Sequence, residues 1–273
     1  MKTAFPVFIR RFLSDRMLLI LLACLFLLVW ELAAARHWIN ALFFPAPSAI
    51  GAAMVSQLAD GEALANVGAT LERAILGLLL GCTIGLALGI FLGWSTRFRQ
   101  LFDPVIGALY PIPKLALFPL FLLLFGLGDQ PRIALIALAS FFPILINTIA
   151  GARQINPEYF EIAQAYGANR RIILFRVVLP GALPSVISGL RLAAGNALIT
   201  AIAVELMQGQ GGLGAQIWWA WETLRISDLY VAILFTALLG IGSHYLLEFL
   251  SQKLLPWQIE QGKAPATNPI PEI

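Results

Sequence analysis

The chain has 273 residues, of which 59% are hydrophobic and 12% charged, with a net charge of +3. Soluble domains carry about 25% charged residues, so the composition excludes a soluble globular protein and reads as an all-α, polytopic membrane protein. The two cysteines, Cys24 and Cys82, both lie inside apolar runs, which argues against a disulfide framework or a Cys/His metal site.

The N-terminus, MKTAFPVFIRRFLSDRM, is basic and leads into the apolar run Met17–Ala35. A cleaved signal peptide competes here, because Ala33–Ala35 resembles a small-residue cleavage site. The remaining chain is equally apolar, and an uncleaved first span is the expectation. Crossing the hydrocarbon takes about 20 apolar residues in a helix. Five more runs qualify: Thr70–Trp94, Leu101–Phe125, Arg132–Ala150, Ser185–Met207 and Leu229–Leu250. Between the first two spans, Arg36–Ala69 holds Pro45, Pro47, Asp60 and Gly61, with a weakly amphipathic helix over Ser48–Leu58 that should lie along the outer interface.

The second span carries Gly77, Gly81, Gly85, Gly89 and Gly93, a period of four that reads as a helix-packing seam. A four-residue step drifts around the helix, so the five are not expected to share one narrow contact. The third span contains Pro104, Pro111, Pro113 and Pro119 and is predicted to be broken or bent and buried among other helices. Lys114, the one formal charge in the middle of a span, is either a pathway residue that attracts an anionic substrate, or a structural group placed near an interface by the break. Glu72, Arg73, Arg191 and Glu205 fall near span ends and are expected to be interfacial or paired. Gly209–Gly214 reads as a turn or gate loop near the outer mouth, since no strand precedes it as a phosphate loop requires. Trp38, Trp218, Trp219, Trp221, Tyr230 and Trp257 read as interface anchors.

The Lys/Arg distribution sets the orientation. With the N-terminus in the cytoplasm, thirteen of the eighteen Lys and Arg fall on the cytoplasmic side, four (Arg36, Arg73, Arg132 and Arg225) on the outer side, and Lys114 within the third span. Both termini are then cytoplasmic. So is the stretch Gly151–Pro180, whose six charges (Arg153, Glu158, Glu161, Arg170, Arg171 and Arg176) cannot share one lipid-facing helix.

That loop is built to fold. Asn156, Pro157 and Glu158 supply an N-cap, a first-turn proline and an acid at the positive end of a helix. Tyr159, Ile162, Ala163 and Tyr166 follow at helical spacing as an apolar face. Gly167 is placed for a left-handed stop, and a second short helix over 169–178 is expected to end before Pro180. The whole reads as a two-helix bracket outside the bilayer. The blander alternative is an amphipathic loop resting on headgroups.

The pattern Glu161-x-Ala163-x-x-x-Gly167, nine residues, then Val177-x-Leu179-Pro180 resembles the EAA loop of type I ABC importer permeases, with mild departures at Ile162 and Val177. The segments Tyr110–Ala116, Phe125–Gly128, Phe141–Ile144 and Gly211–Gly214 are similar to the branch handling nitrate, sulfonate, taurine and bicarbonate. The resemblance runs from about residue 70 to 250. It implies a six-span, multi-pass permease of a bacterial inner membrane that works as a homodimer. It also implies two cytoplasmic ATPases, which carry the ATP and Mg²⁺ while this chain binds no cofactor, and an external substrate-binding protein. Tyr159, Glu161, Ile162, Ala163, Tyr166, Gly167, Leu179 and Pro180 would form the ATPase-coupling element. The domain division is a segment 1–16, one transmembrane domain 17–250 with its coupling loop at 151–184, and a tail 251–273. No nucleic-acid partner is implied, and the chain lacks G-x-x-x-x-G-K-[ST] for ATP hydrolysis. A secondary transporter or channel would show ion-coupling acids within spans or inverted repeats. A membrane transferase would show clustered acids, His or Ser near an interface, and neither pattern is visible.

Overall fold

The computed structural model describes residues 5–255, where every regular element is helical. Lys2, Trp257, Lys263 and the tail from residue 256 lie outside the described residues. The elements are α1 (Phe5–Ala35), α2 (Pro47–Ala59), α3 (Glu62–Trp94), α4 (Thr96–Leu109), a 3₁₀ turn (Lys114–Leu117), α5 (Phe118–Phe125) and α6 (Asp129–Arg153). They continue with α7 (Pro157–Ala165), α8 (Arg170–Ile173), a π turn (Leu174–Val178), α9 (Leu179–Gln208), α10 (Leu213–Glu222) and α11 (Ile226–Leu254).

Five helical segments are long and apolar enough to cross a membrane: Met17–Ala35 within α1, α3, α6, Arg170–Gln208, and α11. The pair Thr96–Leu109 and Lys114–Phe125 is bent by 84° and makes up to a sixth span. The proline-rich third span is therefore broken as its sequence predicts, but it is not buried among other helices: no residue of α4 is buried, and of α5 only Phe118 is. Large apolar side chains such as Leu19, Leu79, Leu123 and Leu238 point outward. In lipid that surface faces a matching solvent, so no patch of this kind demands a protein partner.

The centre is α6, held between α3, which runs parallel to it, and α9, which runs antiparallel. Leu135, Ile136, Ile144 and Leu145 of α6 are almost wholly buried. Its ends suit its dipole, with Asp129 in the first turn and Arg153 in the last. The bundle has two ends. One carries α7 and α8 and is called the loop end; the other carries α2 and α10 and is called the far end.

Three further expectations need correction. The second span starts at Glu62, eight residues earlier than its apolar run, because Gly61 (φ 76°) lets the chain turn directly into the helix. The two added turns carry buried Ala63 and the polar Asn66. The second bracket helix does not end before Pro180. It runs through the π turn into α9, so bracket and span form one rod from Arg170 to Gln208. Pro180 sits in the first turn after the π register change, where its missing N–H disturbs the ladder least. Finally, all five seam glycines face α6. A Cβ built on each would meet Ile136 (Gly77), Ala137 (Gly81), Ile144 (Gly85), Thr148 (Gly89) or Ala152 (Gly93) within 2.2–2.6 Å. A repeat longer than 3.6 residues winds a helix pair right-handedly, and α6 follows the drifting seam around α3.

Candidate functional site

At the loop end, Asn156 caps α7 by accepting from the Glu158 N–H at 3.1 Å, and Asn169 caps α8 by accepting from the Ile172 N–H at 3.0 Å. Between them Gly167 (φ 71°) closes α7. The Gly167 N–H donates to Gln164 O and the Ala168 N–H to Ala163 O, both at 2.9 Å, the paired bonds of a Schellman ending. Two caps and this ending leave the turn between α7 and α8 little freedom.

The apolar residues of α7 divide. Phe160, Ala163 and Ala168 turn inward onto a cluster of Ala152, Ile173, Val178 and Ala182, joined by Ile90, Ile155 and Val177. Tyr159, Ile162 and Tyr166 turn outward, with Tyr166 88% exposed. Ala163, expected on the outer apolar face, is thus an anchor, and Phe160 is an anchor that the sequence reading passed over. Glu161 is exposed and makes no ion pair among the described residues. Leu179 is half-buried and Pro180 exposed, the latter beside Tyr159, Arg176 and Gly181 around a small cleft.

The far end holds an ionic network that is buried except at Asp129, whose side chain is exposed. The Glu205 carboxylate, fully buried, accepts from Arg73 Nη1 (2.8 Å), Thr70 Oγ1 (2.8 Å) and the Gly214 N–H (3.1 Å). Asp129 accepts from Arg73 Nε at 2.6 Å and from Arg132 Nη1 at 3.1 Å. The arginines also hold the 209–212 loop: Arg73 Nη1 donates to Gly211 O (2.9 Å) and Arg132 Nη1 to Gln210 O (3.0 Å), while Arg132 Nε bonds Gln208 Oε1. Two cations and two carboxylates balance, which is the condition under which buried charge is tolerated. Arg73 and Glu205 are paired, as one of the two expectations had it; Glu72 and Arg191 are exposed. The glycine loop gains a definite role as the lid over Glu205. A polar relay continues outward, with the Gly212 N–H donating to Asn66, Asn66 to Gln216, Gln216 to Gln57 and Gln57 to Asp228.

Trp38, Trp218, Trp219 and Trp221 are exposed at this far end, three of them on the short helix α10. Tyr230 donates from its hydroxyl to Phe43 O at 3.3 Å. Lys114 stands at the break of the third span, half-buried between α4, α6 and α9. Among the described residues no group of three His, Cys, Asp or Glu is placed to hold a metal ion.

The structure is thus an all-α bundle of up to six spans with a capped two-helix bracket at one end. Residues 84–256 match the family of binding-protein-dependent transport system inner membrane components, and the chain belongs to that family, the permease subunits of ABC importers. It is 32% identical over 239 residues to the permease assigned to aliphatic sulfonates transport, SsuC of Bacillus subtilis, covering 88% of this chain and 87% of that one. The taurine transport system permease TauC of Escherichia coli is 31% identical, over 86% of this chain and 87% of its own. Among solved structures, an inward-facing MetNI methionine ABC transporter superposes with a TM-score of 0.61 at 18% identity, over 69% of this chain and 94% of that chain. The protein is a multi-pass inner-membrane permease, and the family implies ATPase and binding-protein partners.

Proposed function

We propose that two copies of this chain enclose a pathway for a small anion such as nitrate, a sulfonate, taurine or bicarbonate. An external binding protein delivers it at the far end, and one ATPase seats on each bracket. ATP and Mg²⁺ belong to the ATPases, and this chain holds no cofactor. The bracket and both termini face the cytoplasm, consistent with the Lys/Arg bias. Residues 17–250 then act as one transmembrane domain, with 151–184 its coupling loop, between the segment 1–16 and the tail 251–273. The relatives' sulfonate and taurine assignments support the substrate class.

The observation that carries this reading is the split face of α7. Tyr159, Ile162 and Tyr166 are apolar, exposed and held on a capped helix, the arrangement that fills a groove in a partner. Their inward neighbours Phe160 and Ala163 pack on α3, α6 and α9 through Ile90, Ala152 and Ala182. A push on α7 therefore reaches three spans, and α8 passes it into α9 without a break. ATP-driven closure draws the two brackets together and opens the pathway outward; hydrolysis resets it, a two-position element of the hinge and shear kind.

The test uses positions whose side chains support nothing in the permease itself. Tyr166→Glu and Ile162→Arg should each cut the ATPase that co-purifies with the permease at least tenfold, a loss of about 1.4 kcal/mol or more, with Tm of the isolated permease unchanged. An undiminished complex in both variants sinks the coupling role.

A further inference from the structure

The break in the third span opens a cleft of about 420 Å³ lined by three spans, two of which, the third span and α9, supply its polar groups. Lys114 enters it from the 3₁₀ turn, Tyr110 from the end of α4, and Asn196 and Thr200 from α9, with Phe142 and Pro143 of α6 opposite. The manner in which Lys114 is held decides what the cleft can do. Its ammonium lies 4.8 Å from the Tyr110 ring centroid and 4.9 Å from that of Phe142, and it donates to Tyr110 O. Ring faces and a carbonyl orient a cation without neutralising it. Among the described residues no carboxylate lies within ion-pair distance of Lys114. Arg73 and Arg132 at the far end differ in this respect, since both are matched by Asp129 or Glu205.

Asn196 and Thr200 are one turn apart on α9, on the same face as exposed Ile199. Neither side chain is engaged by another described residue, so an amide and a hydroxyl are open beside an unneutralised ammonium, within a span. An ionisable group within a span is retained for function by default.

We propose that this cleft is a transit site for the anionic head of the solute: a sulfonate, or another singly charged oxyanion of similar size, pairs with Lys114 while Asn196 and Thr200 donate hydrogen bonds to it. The site supplies one full charge and neutral donors, so it attracts the anion and releases it again, as a pathway requires. This rests on the transport reading above.

The experiment is uptake by the complete complex, with binding protein and ATPase, in proteoliposomes, using labelled nitrate, bicarbonate, taurine and ethanesulfonate. Lys114→Gln should lower uptake of the transported anion about tenfold or more, the size of a lost charge-assisted hydrogen bond, with the ATPase still co-purifying. Asn196→Asp places a carboxylate beside Lys114 and should lower uptake similarly. Uptake at the wild-type rate in either variant overturns the site. A wild-type complex that carries none of the four solutes overturns it together with the anion assignment, and leaves the coupling role of the bracket standing.

Discussion

Gly81→Val is expected to destabilise the permease by about 3 kcal/mol or more, at the upper end of overpacking costs, or to prevent its folding. The reason is which atom stands in the way. A Cβ at Gly81 would lie 2.2 Å from the Ala137 carbonyl oxygen and 3.0 Å from that carbonyl's carbon. These are backbone atoms of α6 and cannot rotate aside. Relief requires α3 and α6 to separate, which strips Ile136, Ile144 and their neighbours of contacts along the main seam of the bundle. Gly77 should be similarly sensitive, because Ile136 Cβ, which no rotamer moves, would lie 2.6 Å away and the Ile133 carbonyl oxygen 3.1 Å away. Gly68 supplies the control: it lies on the same helix with nothing within 4 Å. Gly68→Ala should be neutral or slightly stabilising, since alanine is favoured over glycine in a helix by about 1 kcal/mol. Thermal unfolding of the purified permease in detergent reads all three. Equal loss at Gly68 and Gly81 would mean that the seam is not where the helices meet.

The comparison between Gly77 and Gly81 also marks how far residues alone can be read. The period of four announced a packing seam, but its partner was not visible, because any small-residue stripe can meet any helix. The drift of the repeat argued against a single contact; only the coiling of α6 around α3 reconciles the two. Caps at Asn156 and Gly167 were legible because each acts on its own helix within three residues, whereas Asn169, read as the first residue of the second helix, is its cap. The apolar face of α7 was legible as a period and not as a direction. Residues 159, 162, 163 and 166 satisfy helical spacing, and so do 160 and 163. The usable difference lay in chemistry, since Phe160 has no polar end while Tyr159 and Tyr166 do, and a tyrosine tolerates a wet surface. The π turn escaped because Pro180 signals a helix end unless the register shifts just before it. The far-end network was half legible: Arg73, Arg132 and Glu205 each fall at the same end of a predicted span, so their depths match, but Asp129 lies just outside its predicted span and the 209–212 loop read only as a turn, so neither showed as a partner.

That network yields the other large effect. Glu205→Gln should destabilise the permease by about 3–5 kcal/mol, the range for breaking a buried ion pair by removing one partner. The amide keeps the volume and can still accept one hydrogen bond from Thr70 or Gly214, so the change isolates the charge. Without the carboxylate, Arg73 and Arg132 share Asp129 alone, and one buried guanidinium is unmatched. The loss should also be local. The Leu213 N–H bonds Thr70 Oγ1 and the Gly214 N–H bonds Glu205, while Arg73 and Arg132 hold the carbonyls of Gly211 and Gln210. Hydrogen exchange at the Leu213 and Gly214 amides should therefore accelerate well before exchange in the α3–α6 seam. A double variant, Arg73→Met with Glu205→Met, removes both charges and should recover part of the loss, because a matched apolar pair costs less than a lone buried charge. If Glu205→Gln leaves Tm and the 213–214 amides unchanged, the carboxylate does not hold the loop. If it frees the loop and also permits uptake without the binding protein, the lid over Glu205 serves as the outer gate.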